Sequence, residues 1–89
     1  MFYVYLQKRG VNLRELANII EIIETKSEEL YGSTNKMLKE NNINSSIVGN
    51  MKRKKPSIPN IFDFCKLAEA LNLSLDYLLL DKTNNQNIT

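Results

Sequence analysis

The stretch TNKMLKENNINSSIVGNMKRKK, residues 34–55, decides how the rest of the chain is read. Met37 and Leu38 supply the apolar side of a helix over residues 34–41, with Lys36, Lys39 and Glu40 outward. Asn41 and Asn42 stop that helix, because asparagine is the residue other than glycine that best tolerates a left-handed turn. Ile43 is placed to plug the core at the corner. Asn44 is a capping residue for a next helix over residues 45–54, whose buried stripe is Ile47, Val48 and Met51 and which Pro56 ends.

Two short helices joined by a three-residue corner make a helix-turn-helix pattern, and the residue types opening the second helix carry the chemistry. A helix enters the major groove of DNA only if its leading side chains let the backbone approach. Ser45 and Ser46 are short and offer both donors and acceptors. Asn50, one turn later, has the amide that pairs bidentately with adenine. Gly49 between them costs about 1 kcal/mol of helix propensity, and close approach to a DNA backbone or base edge would offset that loss. Lys52, Arg53, Lys54 and Lys55 follow as phosphate contacts, although cations at a helix C-terminus also complement the dipole without any ligand.

Working outward, Leu13, Leu16, Ala17, Ile20, Ile23 and Leu30 recur at helical spacing, with Glu21, Glu24, Lys26 and Glu28 opposite, which predicts a long first helix over residues 13–31. Ile19, Ile20, Ile22 and Ile23 exceed what one face needs, pointing either to deep burial or to a dimer contact. Gly32 ends this helix, and Ser33 or Thr34 caps the next. On the C-terminal side, Pro56 and Pro59 mark a loop, and Asn60 followed by Asp63 resembles a capping box. The helix after it would bury Ile61, Phe64, Cys65, Ala68 and Leu71. Asn72 stops it, Leu73 bridges, and Ser74 caps a short fifth helix over residues 75–80 with Asp76 in its first turn. In residues 1–12, Phe2, Val4 and Leu6 alternate with Tyr3 and Tyr5 as in a strand, but no partner strand is evident. Residues 83–89 are polar and read as a disordered tail, leaving residues 1–82 as one domain.

Bulk properties narrow the function. The chain of 89 residues has room for one helical core without a deep catalytic cleft, so no enzyme is expected. No apolar run spans a membrane and no secretory leader opens the chain, which predicts a cytoplasmic protein, nucleoid-associated when bound to DNA. With one cysteine and no histidine, neither a disulfide nor a usual zinc set forms, and no cofactor is expected. The formal charge of +2 is unevenly spread. Residues 34–60 hold six basic groups against Glu40 alone, or +5, so the remainder carries −3.

Residues 35–38, Asn-Lys-Met-Leu, residues 43–48, Ile-Asn-Ser-Ser-Ile-Val, the pairs Met51-Lys52 and Pro59-Asn60, and above all residues 67–79, Leu-Ala-Glu-Ala-Leu-Asn-Leu-Ser-Leu-Asp-Tyr-Leu-Leu, resemble the Cro/C1-type helix-turn-helix regulators, the xenobiotic-response-element family. The resemblance covers residues 34–80, about half the chain. It implies an all-α, five-helix, lambda-repressor-like bundle, here with a long first helix and an atypical N-terminal extension. By position it assigns Ser45, Ser46, Gly49 and Asn50 to bases. Thr34 and Asn35, at the start of the second helix, fall to the DNA backbone, and Lys36, Lys52, Arg53, Lys54 and Lys55 join them as phosphate contacts. The implied function is that of a sequence-specific transcriptional regulator, a repressor of phage or mobile-element type, binding a palindromic double-stranded operator as a homodimer. The chain departs from the family at Asn42 and Lys54, where glycine is usual, and at Leu38, where a small residue is common.

Arg9 to Ala17 also looks like the opening of such a domain, but the helix that follows has no corner, plug or basic run. The main alternative is a protein-interaction module on the same fold, such as an antitoxin or accessory factor. RNA binding is disfavoured because the aromatic residues lie outside the basic segment. Tyr3 and Tyr5 are read as packing residues and Cys65 as a core filler.

Overall fold

In the computed structural model, which describes residues 12–81, the chain folds as a five-helix globule closed by one short strand pair. The helices are α1 (Leu16–Tyr31), α2 (Thr34–Glu40), α3 (Ile47–Met51), α4 (Ile61–Ala70) and α5 (Leu75–Leu79). Strands β1 (Asn12–Leu13) and β2 (Leu80–Asp81) pair antiparallel, with Asn12 opposite Asp81 and Leu13 opposite Leu80. The expectations for residues 2–6 and for a tail over 83–89 fall outside the described residues.

The caps that organise these helices are local and chemical. Gly32, at φ +91°, ends α1 with its N–H on the Glu28 carbonyl. Ser33 then accepts the Lys36 N–H at the start of α2, Asn60 accepts the Asp63 N–H at α4, and Ser74 accepts the Tyr77 N–H at α5. Each satisfies a donor that the helix itself leaves open, a contribution of about 1 kcal/mol. The two helix pairs α2–α3 and α4–α5 turn in the same way. Asn42 and Asn72 sit at φ +56° and +58°. The residue after each returns its N–H five positions back, Ile43 to Leu38 and Leu73 to Ala68, both at 2.9 Å. These are asparagine versions of the helix-ending motif usually built on glycine. They explain why asparagine suffices at the corner.

The core contains Ile19 and Ile23 of α1, Met37 and Leu38 of α2, and Ile47, Val48 and Met51 of α3, with Ile43 plugging the corner. Phe64, Leu67, Ala68, Ala70, Leu71, Leu78, Leu79 and Leu80 complete it. At the end of α1, Tyr31 ties three helices together: its hydroxyl donates to the Ala70 carbonyl at 2.8 Å and accepts from the Asn41 amide at 3.2 Å.

Several expectations need correction. The first helix begins at Leu16 rather than residue 13, because the Arg14 N–H donates to the Leu79 carbonyl and Leu13 pairs with Leu80. Its buried positions are Ile19, Ile23 and Ser27, while Ala17, Leu13 and Leu30 are exposed. Ser27 can be buried because its hydroxyl donates to the Ile23 carbonyl at 2.6 Å. The isoleucine excess resolves toward burial: Ile19 and Ile23 lie in the core, and Ile20 and Ile22 pack against it. In α4, Cys65 is exposed instead of filling the core, and Ile61 is only partly covered; Leu67 and Ala70 take the inward places. Helix α5 ends one residue early, since Leu80 joins β2. Among the described residues no helix is long and apolar enough to cross a membrane.

Candidate nucleic-acid interface

The second helix of the α2–α3 pair is shorter than its sequence suggested. Instead of running over residues 45–54, α3 covers Ile47–Met51, preceded by a turn in which Asn44 Oδ1 accepts the Ser46 N–H at 2.9 Å and the Asn44 carbonyl accepts that of Ile47. Its end has an equally local cause. The Asn50 carbonyl, which a longer helix would offer to residue 54, accepts the Ser57 N–H at 3.0 Å instead. Residues 52–55 therefore leave the helix as bends, and the basic run lies on a loop.

Ser45 and Ser46 are exposed in the turn before α3, and Gly49 is exposed within it, away from the buried Ile47, Val48 and Met51. Asn50 is half-buried. It lines a polar groove of about 260 Å³ with Asn44, Ser57, Asn60 and Asp63, so the loop over residues 57–60 forms one wall of the candidate reading surface. Sequence reasoning missed that wall, although Ser57 and Asn60 beside Asn50 are the kind of short polar side chains that could have suggested it.

Gly49 has a distinctive environment. A Cβ built on it would meet nothing within 4 Å, and its φ is not in the left-handed region. Among the described residues, neither packing nor backbone conformation calls for glycine there.

The expected phosphate contacts divide into two groups. Lys36 pairs with Glu40 at 3.9 Å along α2, and Lys52 pairs with Glu24 of α1. Arg53, Lys54 and Lys55 are exposed and make no salt bridge among the described residues. Thr34 is half-buried and Asn35 exposed at the start of α2. Glu24 lies 28 residues from Lys52 in the chain, and no local pattern announces their contact. Among the described residues no three histidine, cysteine or carboxylate side chains cluster so as to hold a metal ion.

Compared with protein-family models, curated proteins and solved structures, the chain has no match in any of the three.

Proposed function

We propose that this chain is a helix-turn-helix regulator of the Cro/C1 type that reads double-stranded DNA with α3 and the turn before it. Ser45, Ser46 and Asn50 contact base edges, and Arg53, Lys54 and Lys55 contact phosphates. The observation that carries this reading is Gly49, an exposed glycine in the middle of a helix with open space around it. Glycine there costs about 0.5–1 kcal/mol relative to alanine, and packing among the described residues gives no reason for it. An approaching DNA surface supplies one. The charge distribution supports the same face, since residues 34–60 concentrate +5 in a chain of net +2.

In this reading Lys36 and Lys52 reach phosphates only by leaving Glu40 and Glu24, and Thr34 and Asn35 contribute at the edge of the footprint. The protein acts in the cytoplasm as a homodimer on a palindromic operator and represses transcription from it. A second reading, a protein-interaction module, draws on the exposed Ile58 and Phe62, 58% and 75% accessible.

Duplex binding followed by fluorescence anisotropy over a salt series separates the two. DNA recognition predicts steep weakening with salt, loss of base preference in Asn50→Ala, and uniform weakening with a flatter salt slope in Lys55→Ala. Undetectable or salt-insensitive binding at low ionic strength would instead favour the interaction module.

A further inference from the structure

We infer, resting on the DNA reading above, that the groove between α3 and the start of α4 selects a base whose exocyclic amino group lies on one particular strand, with Asp63 as the residue that sets the preference. Asn44, Asn50, Ser57, Asn60 and Asp63 line this groove of about 260 Å³. Two backbone bonds hold its shape. The Ser57 N–H donates to the Asn50 carbonyl and ties the loop to the reading helix. The Asp63 N–H donates to Asn60 Oδ1 and fixes the first turn of α4 to that loop. The same cap settles what Asn60 has left to offer. Asn60 Oδ1 is held by the Asp63 N–H and Asn44 Oδ1 by the Ser46 N–H, both at 2.9 Å, so the backbone sets the orientation of each amide. Each keeps an amino group that makes no hydrogen bond among the described residues. The Asp63 carboxylate is half-buried, and among the described residues it meets neither a cation nor a donor. The dipole of α4 accounts for an anion in that turn. It leaves the hydrogen-bond acceptors of the carboxylate unused.

Charge and hydrogen-bond type decide what such a groove accepts. The carboxylate repels a phosphate, and the exposed Arg53, Lys54 and Lys55 give phosphates a better place. A base edge is neutral. In the major groove guanine shows the acceptors O6 and N7, and thymine shows O4 and a methyl, so both would set oxygen against oxygen at Asp63. Adenine shows the N6 amino group beside N7, and cytosine shows the N4 amino group. That amino group donates to Asp63, while adenine N7 also accepts from an asparagine amino group. Adenine therefore fits best and cytosine next. Because Asn50 lines the same groove, the selected base is a neighbour of the one that Asn50 reads. Inverting that base pair moves the amino group to the other strand and removes the contact.

The test is selection of duplexes from a random pool by the full chain and by Asp63→Asn, followed by anisotropy titration of duplexes with each base pair of the motif inverted in turn. At one position per half-site, inversion should weaken wild-type binding five- to 150-fold, the worth of one good base contact. Asparagine has the same shape as aspartate, keeps the backbone N–H that Asn60 caps, and donates as well as accepts. Asp63→Asn should therefore tolerate the inversion, with the penalty at that position at least fivefold smaller and the penalties elsewhere unchanged. A ratio between two duplexes does not move with stability, so a merely structural role for Asp63 leaves it alone. Circular dichroism melting checks the fold, and Asp63→Ser is the second variant if asparagine is not tolerated. An Asp63→Asn protein that binds every sequence more tightly with the same motif overturns the inference, because the carboxylate then acts only as a repelling charge. A motif in which no inversion penalty differs between the two proteins overturns it as well, while leaving the DNA reading intact. Absence of duplex binding or of any enriched motif in the wild type overturns the DNA reading and this inference together.

Discussion

Replacing Gly49 by alanine separates folding from recognition by moving them in opposite directions. Gly49 is the middle residue of α3, exposed, and the added methyl meets no atom of the described residues within 4 Å. Alanine therefore introduces no clash in the free protein and gains about 0.5–1 kcal/mol of helix propensity. For a domain of this size each kcal/mol raises the melting temperature by roughly 4–8 °C, so Gly49→Ala should melt about 2–8 °C higher. On DNA the same methyl occupies the space through which the backbone of α3 approaches the base edges. Losing one good base contact costs about 1–3 kcal/mol, a five- to 150-fold weakening on the preferred sequence. Gly49→Leu should bind more weakly still. Circular dichroism melting and anisotropy titration on one preparation measure both effects. A Gly49→Ala variant that is more stable and binds duplex as tightly as wild type would refute the role assigned to Gly49, and a less stable one would refute the structural account of its surroundings.

Other perturbations test separate parts of the structure. Asn42→Ala places an alanine at φ +56° and should cost about 1 kcal/mol in urea denaturation, whereas Asn42→Gly should stay within about 0.5 kcal/mol of wild type. Glu24→Gln releases Lys52 from its ion pair; stability should change by less than about 1 kcal/mol, the usual worth of an exposed pair, while duplex affinity at 0.1 M salt rises about eightfold and the salt slope steepens by about 0.9. Glu21→Gln, on the same helix but forming no salt bridge with Lys52, is the control and should leave the slope unchanged. Arg14 Nη2 donates to the Tyr77 carbonyl at 2.8 Å and the Leu80 carbonyl at 3.0 Å, with the guanidinium over the Tyr77 ring, so Arg14→Met should lower stability by about 2 kcal/mol in thermal or urea unfolding.

The helix ends were legible because their causes are local. Ser33, Asn60 and Ser74 cap by side chains adjacent to the N–H groups they satisfy, and Gly32 and Asn42 take left-handed conformations that few residues accept. The face of α1 was not legible, since four isoleucines within five positions support more than one inward direction. Burial of Ser27 depended on a hydroxyl bond to its own helix, which composition does not reveal. Cys65 was assigned inward because of its type, but Leu67 and Ala68 fill that side of α4. Pairing of Leu13 with Leu80 joins distant residues over two positions, too short for periodicity to register.

In the candidate site, the exposure of Ser45, Ser46 and Gly49 was legible from the buried stripe Ile47, Val48 and Met51. The early end of α3 did not, because it depends on Ser57 capturing the Asn50 carbonyl. For the same reason Lys52, Arg53 and Lys54, expected on the last turn of the helix, lie after its end with Lys55. The neutralisation of Lys52 by α1 was hidden by the distance in sequence between the partners.

Selection of bound duplexes from a random pool by the wild-type protein tests the central claim most directly. The account predicts enrichment of a two-fold symmetric motif with half-sites centred about one helical turn apart, 10–10.5 base pairs, and predicts that Asn50→Ala broadens the enriched bases without abolishing binding. A pool that emerges with no enriched sequence, or an enriched motif left unchanged by substitution at Asn50, Ser45 and Ser46, would contradict the assignment of α3 as the reading helix.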